Sequence, residues 1–373
     1  MHVDEIPELG YAEELRIGSL DDPDAGFSRI RRVRVSERGE VYVLDMLMRE
    51  VRVFSTEGEH IRSIGGEGEG PGEFLVPSNM GLLGDTLWVN DPRARRITWF
   101  GPDGGVLFTT PTQQVPIEAG VMGLSLSVAP AVPQPDGLIE SDLNMFVGGN
   151  REIRPYRYPV VRFNRDGEVV DTARWETADE SAPTYRIGGG DLYAPYLGPL
   201  RPVEAELGDG RVVLDWSVPE GAAEGTLEVV RLGPEQDTLY RREIRYEAIS
   251  VPAEVLDSLV EPRLGMARSR GVSEGELERT LRSAVQLPDF RPPLRTVHAG
   301  ADGSVWIQLN TVAADTASWV VIGADGRVQG TVSLPSGVQI HHSDLPAAWA
   351  VELDEYGVPW LLRLKLSEVD ESG

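Results

Sequence analysis

The chain has 373 residues, 60 acidic against 35 basic side chains, a formal net charge of -25 and no cysteine. This excludes disulfides, thiolate metal sites and cysteine nucleophiles, and it argues against a nucleic-acid partner, which needs clustered Lys and Arg. Hydrophobic residues make up 41%, enough for a core, yet no run approaches the roughly 18 apolar residues of a membrane helix, so no transmembrane segment is expected.

In chain order, Met1 to Gly10 carries neither the basic nor the apolar part of an export signal. A strand is predicted at about residues 11–20, centred on Glu13–Gly18, with no partner nearby in sequence. Five repeating units follow, at about 27–66, 73–111, 118–176, 197–250 and 293–335. Each reads strand, tight turn, strand, variable loop, strand, tight turn, strand. The turns recur as Arg38-Gly39, Glu57-Gly58, Asp103-Gly104, Asp166-Gly167, Asp302-Gly303 and Asp325-Gly326. Glycine there supplies the positive φ of a hairpin turn, and the flanking runs are rich in β-branched and aromatic residues. Between the fourth and fifth units, residues 252–286 read as a small helical insertion. Val255, Leu256, Leu259 and Val260 have helical spacing, and Ser273 with Glu276 forms a capping pattern before Leu277 and Leu281. The sixth unit offers three strands only: 337–345, 349–353 and 358–366.

A four-stranded antiparallel meander cannot bury both faces alone, so the copies must pack around an axis. The fold class is therefore all-β: a six-bladed β-propeller of four-stranded antiparallel blades. The N-terminal strand supplies the missing fourth strand of the last blade. The whole chain, 1–373, is expected to be one propeller domain. Strand order puts all tight turns on one side of the disc. The 2–3 loops and the connections between blades fall on the other side, the insertion face. Four segments there exceed the short norm: Asp142–Tyr158, Thr177–Pro199, Asp215–Gly225 and Val251–Pro292. Long loops on a rigid scaffold usually carry recognition, so this face is the expected binding surface.

Three sets of side chains are candidate ligand-binding groups. Polar residues recur where second strands end: Asp45, Asp91 beside Asn90, Asp142, Asp215 and Asn310. They could ring the insertion face as oxygen ligands for Ca²⁺ or for a hydroxylated molecule, or cap backbone donors in their own turns. Trp216, beside Asp215, joins this set. Aromatics gather in the insertions too: Phe146, Tyr156, Tyr158, Tyr185, Tyr193 and Tyr196. Arg31, Arg201 and Arg295 recur near the start of the innermost strands. They could draw a carboxylate or phosphate to the channel mouth, or pair with the acidic ring. The pleat leaves open whether Arg31 or Arg32 faces the channel. His298, His341 and His342 fall on neighbouring inner strands. Adjacent strand residues point to opposite faces, so only one of His341 and His342 should look inward. Two inward histidines could hold a metal, although a catalytic zinc site usually has three protein ligands.

The run Gly39-Glu40-Val41-Tyr42-Val43-Leu44-Asp45, followed by Arg49–Phe54 and by Gly65–Phe74, resembles an NHL-type repeat. The chain as a whole resembles exported bacterial six-bladed propellers of the NHL/TolB-like group, many of them lipid-anchored. The resemblance implies a periplasmic or extracellular protein, with cytoplasm as the alternative for a chain without an export signal. It also gives weight to a metal, since propeller lyases and lactonases hold one at the channel mouth. The leading functional expectation is a non-catalytic binding or scaffold module for a protein, peptide or glycan, without a cofactor. The alternative is a metal-assisted hydrolase or lyase at the channel mouth, with Ca²⁺ or another divalent ion. No oligomeric state is implied.

Overall fold

The computed structural model describes residues 1–18, 26–112, 124–128, 132–134, 136–147, 157–177, 184–187, 190–195, 197, 203–207, 210–310 and 315–369. The protein is a six-bladed β-propeller of antiparallel sheets. From the innermost strand outward, blade one is Ile30–Val35, Val41–Asp45, Glu50–Phe54 and His60–Gly65. Blades two, four and five repeat this order over residues 79–111, 203–247 and 294–335. In blade three two segments, Leu124–Val128 and Val132–Pro133, share the inner place beside Ile139–Val147.

Blade six closes the ring. Its strands Gln339–Asp344, Ala347–Leu353 and Pro359–Glu368 take Leu9–Ile17 as their outermost partner. Before reaching it, the N-terminal segment crosses two other blades. The Arg245 N–H of blade four donates to the Met1 carbonyl at 2.9 Å, and the Thr331 N–H of blade five donates to the Pro7 carbonyl at 2.8 Å. Arg16 then pairs with Glu352 at 2.8 Å across blade six.

The core lies between blades. Middle strands are apolar on both faces because each face meets a different neighbour. In Val41–Asp45 every residue is buried: Val41 and Val43 pack against Trp349 and Leu361 of blade six, while Tyr42 and Leu44 pack against Met80 and Val89 of blade two. Trp306 and Ile307 divide blade five's contacts with blades six and four in the same way. Outermost strands alternate instead, as half-solvated strands do.

The expected turn rhythm is present. At 36–40, 55–59, 101–105, 134–138, 164–168, 300–304, 323–327 and 354–358, two backbone hydrogen bonds close a turn whose fourth residue is a positive-φ glycine. Blade four uses the same turn at 233–237 with Gln236, at φ 64°, in the glycine's place.

Three expectations change. The strands of blade four run on, so Asp215, Trp216 and Ser217 pair with Glu228, Leu227 and Thr226 rather than forming a loop. The apolar alternation Val212, Leu214, Trp216 simply continues and packs on blade five. In blade three, strands extend to Val147 and restart at Arg157, and the rest of that expected loop lies outside the described residues. The connection after blade three contains an antiparallel hairpin, Thr184–Ile187 with Gly190–Tyr193, that was read as loop.

Candidate functional site: the central channel and its cap

The inner strands line a central cavity of about 1700 Å³. Three of them share a local irregularity. Register shifts fall between Ile30 and Arg32, between Leu294 and Thr296, and between Ile340 and His342. Arg31, Arg295 and His341 are thus extra residues, one in each of blades one, five and six. A bulge re-aims side chains that a regular pleat would send to opposite faces. Arg31, Arg32, His341 and His342 all border the cavity, whereas Arg295 and Thr296 at the matching bulge of blade five do not. The signal is visible afterwards in the sequence. Ile30-Arg31-Arg32-Val33, Leu294-Arg295-Thr296-Val297 and Ile340-His341-His342-Ser343 all place two polar residues after the first apolar one, where a plain strand alternates.

The basic groups are held by neutral acceptors. Arg31 Nε donates to the Ser78 carbonyl at 3.4 Å, and Arg32 Nε to Asn79 Oδ1 at 3.0 Å. Arg34 Nη1 donates to the Val33 carbonyl at 2.8 Å and to the His341 carbonyl at 3.3 Å. Burial pushes Arg34 down to about 10, which still leaves it charged near neutral pH. Burial, then the neighbouring arginines, push His298 down to about 3 and His341 to about 4. His342 falls to about 4 for the same reasons, opposed only by Asp302. All three imidazoles are therefore neutral near pH 7. Buried His298 Nε2 has no hydrogen-bond partner. A ring of arginines beside neutral histidines disfavours a divalent cation. Among the described residues no three His, Asp or Glu side chains gather into a metal-holding group.

The other candidates lie elsewhere. Asp45 and Asp91 are fully buried and hold the backbone. Asp45 accepts from the N–H groups of Ser28, Arg29, Leu47 and Met48; Asp91 does the same for Leu75, Val76, Arg93 and Ala94. Asn310 Nδ2 donates to the Pro292 carbonyl at 3.0 Å. Asp215 Oδ1 accepts from the Trp216 N–H at 2.8 Å, within the strand. Arg295 is exposed and does not line the cavity. Arg201 and the side chain of Asp142 lie outside the described residues, as do the side chains of Phe146, Tyr156, Tyr158, Tyr185, Tyr193 and Tyr196.

The helical insertion forms a cap with its own core. Helices Val255–Val260 and Glu274–Ala284 are joined by shorter helical turns. Ser273 caps the second, its side chain accepting from the Glu276 N–H at 3.2 Å, and Gly271 at φ 70° ends the preceding turn. Val260, Ala267, Leu277 and Leu281 pack on Ile187 and Ala194 of the hairpin region before blade four. Two long connections thus pack on each other.

Comparison with known proteins adds the fold without an activity. The DUF5128 family model, described as a 6-bladed beta-propeller, matches residues 22–85. No curated protein matches. Among solved structures the chain is similar to a Bacteroides fragilis protein described as a candidate exported protein. That match has 12% identity and TM-score 0.52, covering 98% of this chain and 97% of that one. It is also similar to a DUF4221 family member from Bacteroides vulgatus (10% identity, TM-score 0.47, 98% and 100% covered). A third match is virginiamycin B lyase from Staphylococcus aureus (12% identity, TM-score 0.42, 96% and 100% covered). At such identities the likeness speaks for the fold alone. Among the described residues no helix is long and apolar enough to cross a membrane.

Proposed function

We propose that this chain is a non-catalytic binding propeller that recognises a protein, peptide or glycan partner through its loop-rich face, outside the cytoplasm. The observation that carries this reading is the cap. Its apolar core is separate from the cores between blades, so closing the ring does not require it. An element that adds little to the scaffold, placed over the loop-rich side, suits recognition. The resemblance of the first blade to an NHL-type repeat and the exported-protein description of one structural relative favour an extracytoplasmic setting. The acidic excess favours a basic or neutral partner whose affinity falls with salt.

The test is surface plasmon resonance of the intact chain against peptide and glycan libraries at low and high salt. A specific binder weakened by Glu254→Lys and Glu261→Lys, both exposed on the cap, is the expected result. Chelator-sensitive turnover of esters or lactones, with no binder found, would favour the metal-assisted hydrolase instead.

A further inference from the structure

Three arginines of the channel wall, Arg31, Arg32 and Arg34, hydrogen-bond to neutral acceptors and pair with no carboxylate among the described residues. Among the described residues that line the cavity, Arg162 pairs with Asp171 and Arg174 with Glu140. Overall composition runs the other way, with a net charge of -25. Arg31, Arg32 and Arg34 lie on one inner strand, and every hydrogen bond they make goes to a neutral oxygen. Arg32 uses only Nε this way, and Arg34 only Nη1. Each guanidinium has five N–H donors in a fixed fork, so most of theirs remain for something else. A partly desolvated cation without a counter-charge is costly to the fold. Close to the arginines lie His298, with its partnerless Nε2, and His341, whose carbonyl accepts from Arg34. Val35, Val297 and Ile340 add apolar wall between them.

We infer that the channel is a binding site for a small anionic molecule carrying a carboxylate or phosphate group, held by Arg31, Arg32 and Arg34 with His298 and His341 beside it. Bidentate capture of an oxyanion is what the planar forks are built for, and the bound group supplies the missing counter-charge. A small anion fits better than a polyanionic chain, because the acidic exterior repels the latter. The site stands independently of the partner surface on the cap.

Isothermal titration of the whole chain with inorganic phosphate and with citrate, at constant ionic strength, tests this. One or both should bind saturably at about one equivalent. Arg32→Gln and Arg34→Gln should weaken that binding by at least roughly tenfold, the loss of a charged hydrogen bond. Arg327→Gln, on an exposed turn of blade five, should leave it unchanged. Phosphate alone or citrate alone would identify the head group. No saturable binding of either, or equal affinity in all three variants, would overturn the inference. A second readout needs no ligand. Arg34→Met should raise the melting temperature if the charge is kept for an anion, because it removes an uncompensated cation. A fall would mark Arg34 as a structural donor and count against the site.

Discussion

Asp45 and Asp91 show how one carboxylate can fasten two segments of chain. Each binds the connection entering its own blade and the turn after its second strand. Asp45→Ala would leave four part-buried backbone donors without their acceptor, and a fully buried donor left so costs about 1–3 kcal/mol. Urea unfolding should therefore show a loss of about 3 kcal/mol or more, and Asp45→Asn, which keeps one carbonyl oxygen, should lose less. A loss under about 1 kcal/mol would mean that water replaces the carboxylate. The sequence marks these positions by repetition. It does not reveal that the acceptors face two different segments, because Ser28 and Leu47 converge only once the blade has formed.

At the scale of elements, turns were the most legible feature and bulges the least. A glycine at the fourth turn position is a local steric preference, so it recurs in eight of the nine such turns described, Gln236 taking its place in blade four. The bulges at Arg31, Arg295 and His341 depend on pairing with the next strand, which a pattern of period two cannot express. The hairpin at 184–193 escaped for another reason. Its strands belong to no blade and find their partners in the cap. That arrangement makes the cap a separate cooperative unit. Leu277→Ala, fully buried in the cap core, should speed hydrogen exchange across Glu274–Ala284 and Thr184–Tyr193 while leaving the inner strands of blades one, two and five protected. Uniform loss of protection across all blades would show instead that cap and ring unfold together.

For the molecule as a whole, the buried histidines tie stability to pH. His298, His341 and His342 have folded values near 3 to 4, below their ordinary 6.5. The unfolded chain therefore takes up more protons than the folded one between those values. The stabilisation is complete above about pH 6.5 and drains away as pH falls toward 3 to 4. Arg31, Arg32 and Arg34 face these rings and oppose their protonation, with Asp302 the one carboxylate pulling the other way at His342. Urea midpoints measured from pH 7 to pH 5 should fall, and less steeply in His298→Asn than in the parent chain. Identical slopes would mean that carboxylates, not this histidine, set the acid limit.

Ring closure also has a consequence for timing. Leu9 pairs with Glu368 and Ile17 with Leu361, so the ribosome makes the first strand long before its partner exists. At ordinary elongation rates of 5–20 residues per second, that interval is roughly 20 to 70 s. During it the strand presents an unpaired edge to any other nascent chain. Glu13, Glu14 and Arg16 lie between the middle of that strand and its end, and such charges discourage pairing with a stranger. In the finished protein, Arg16 meets Glu352 and Glu14 meets Arg363, so the residues that guard the waiting strand become part of the clasp.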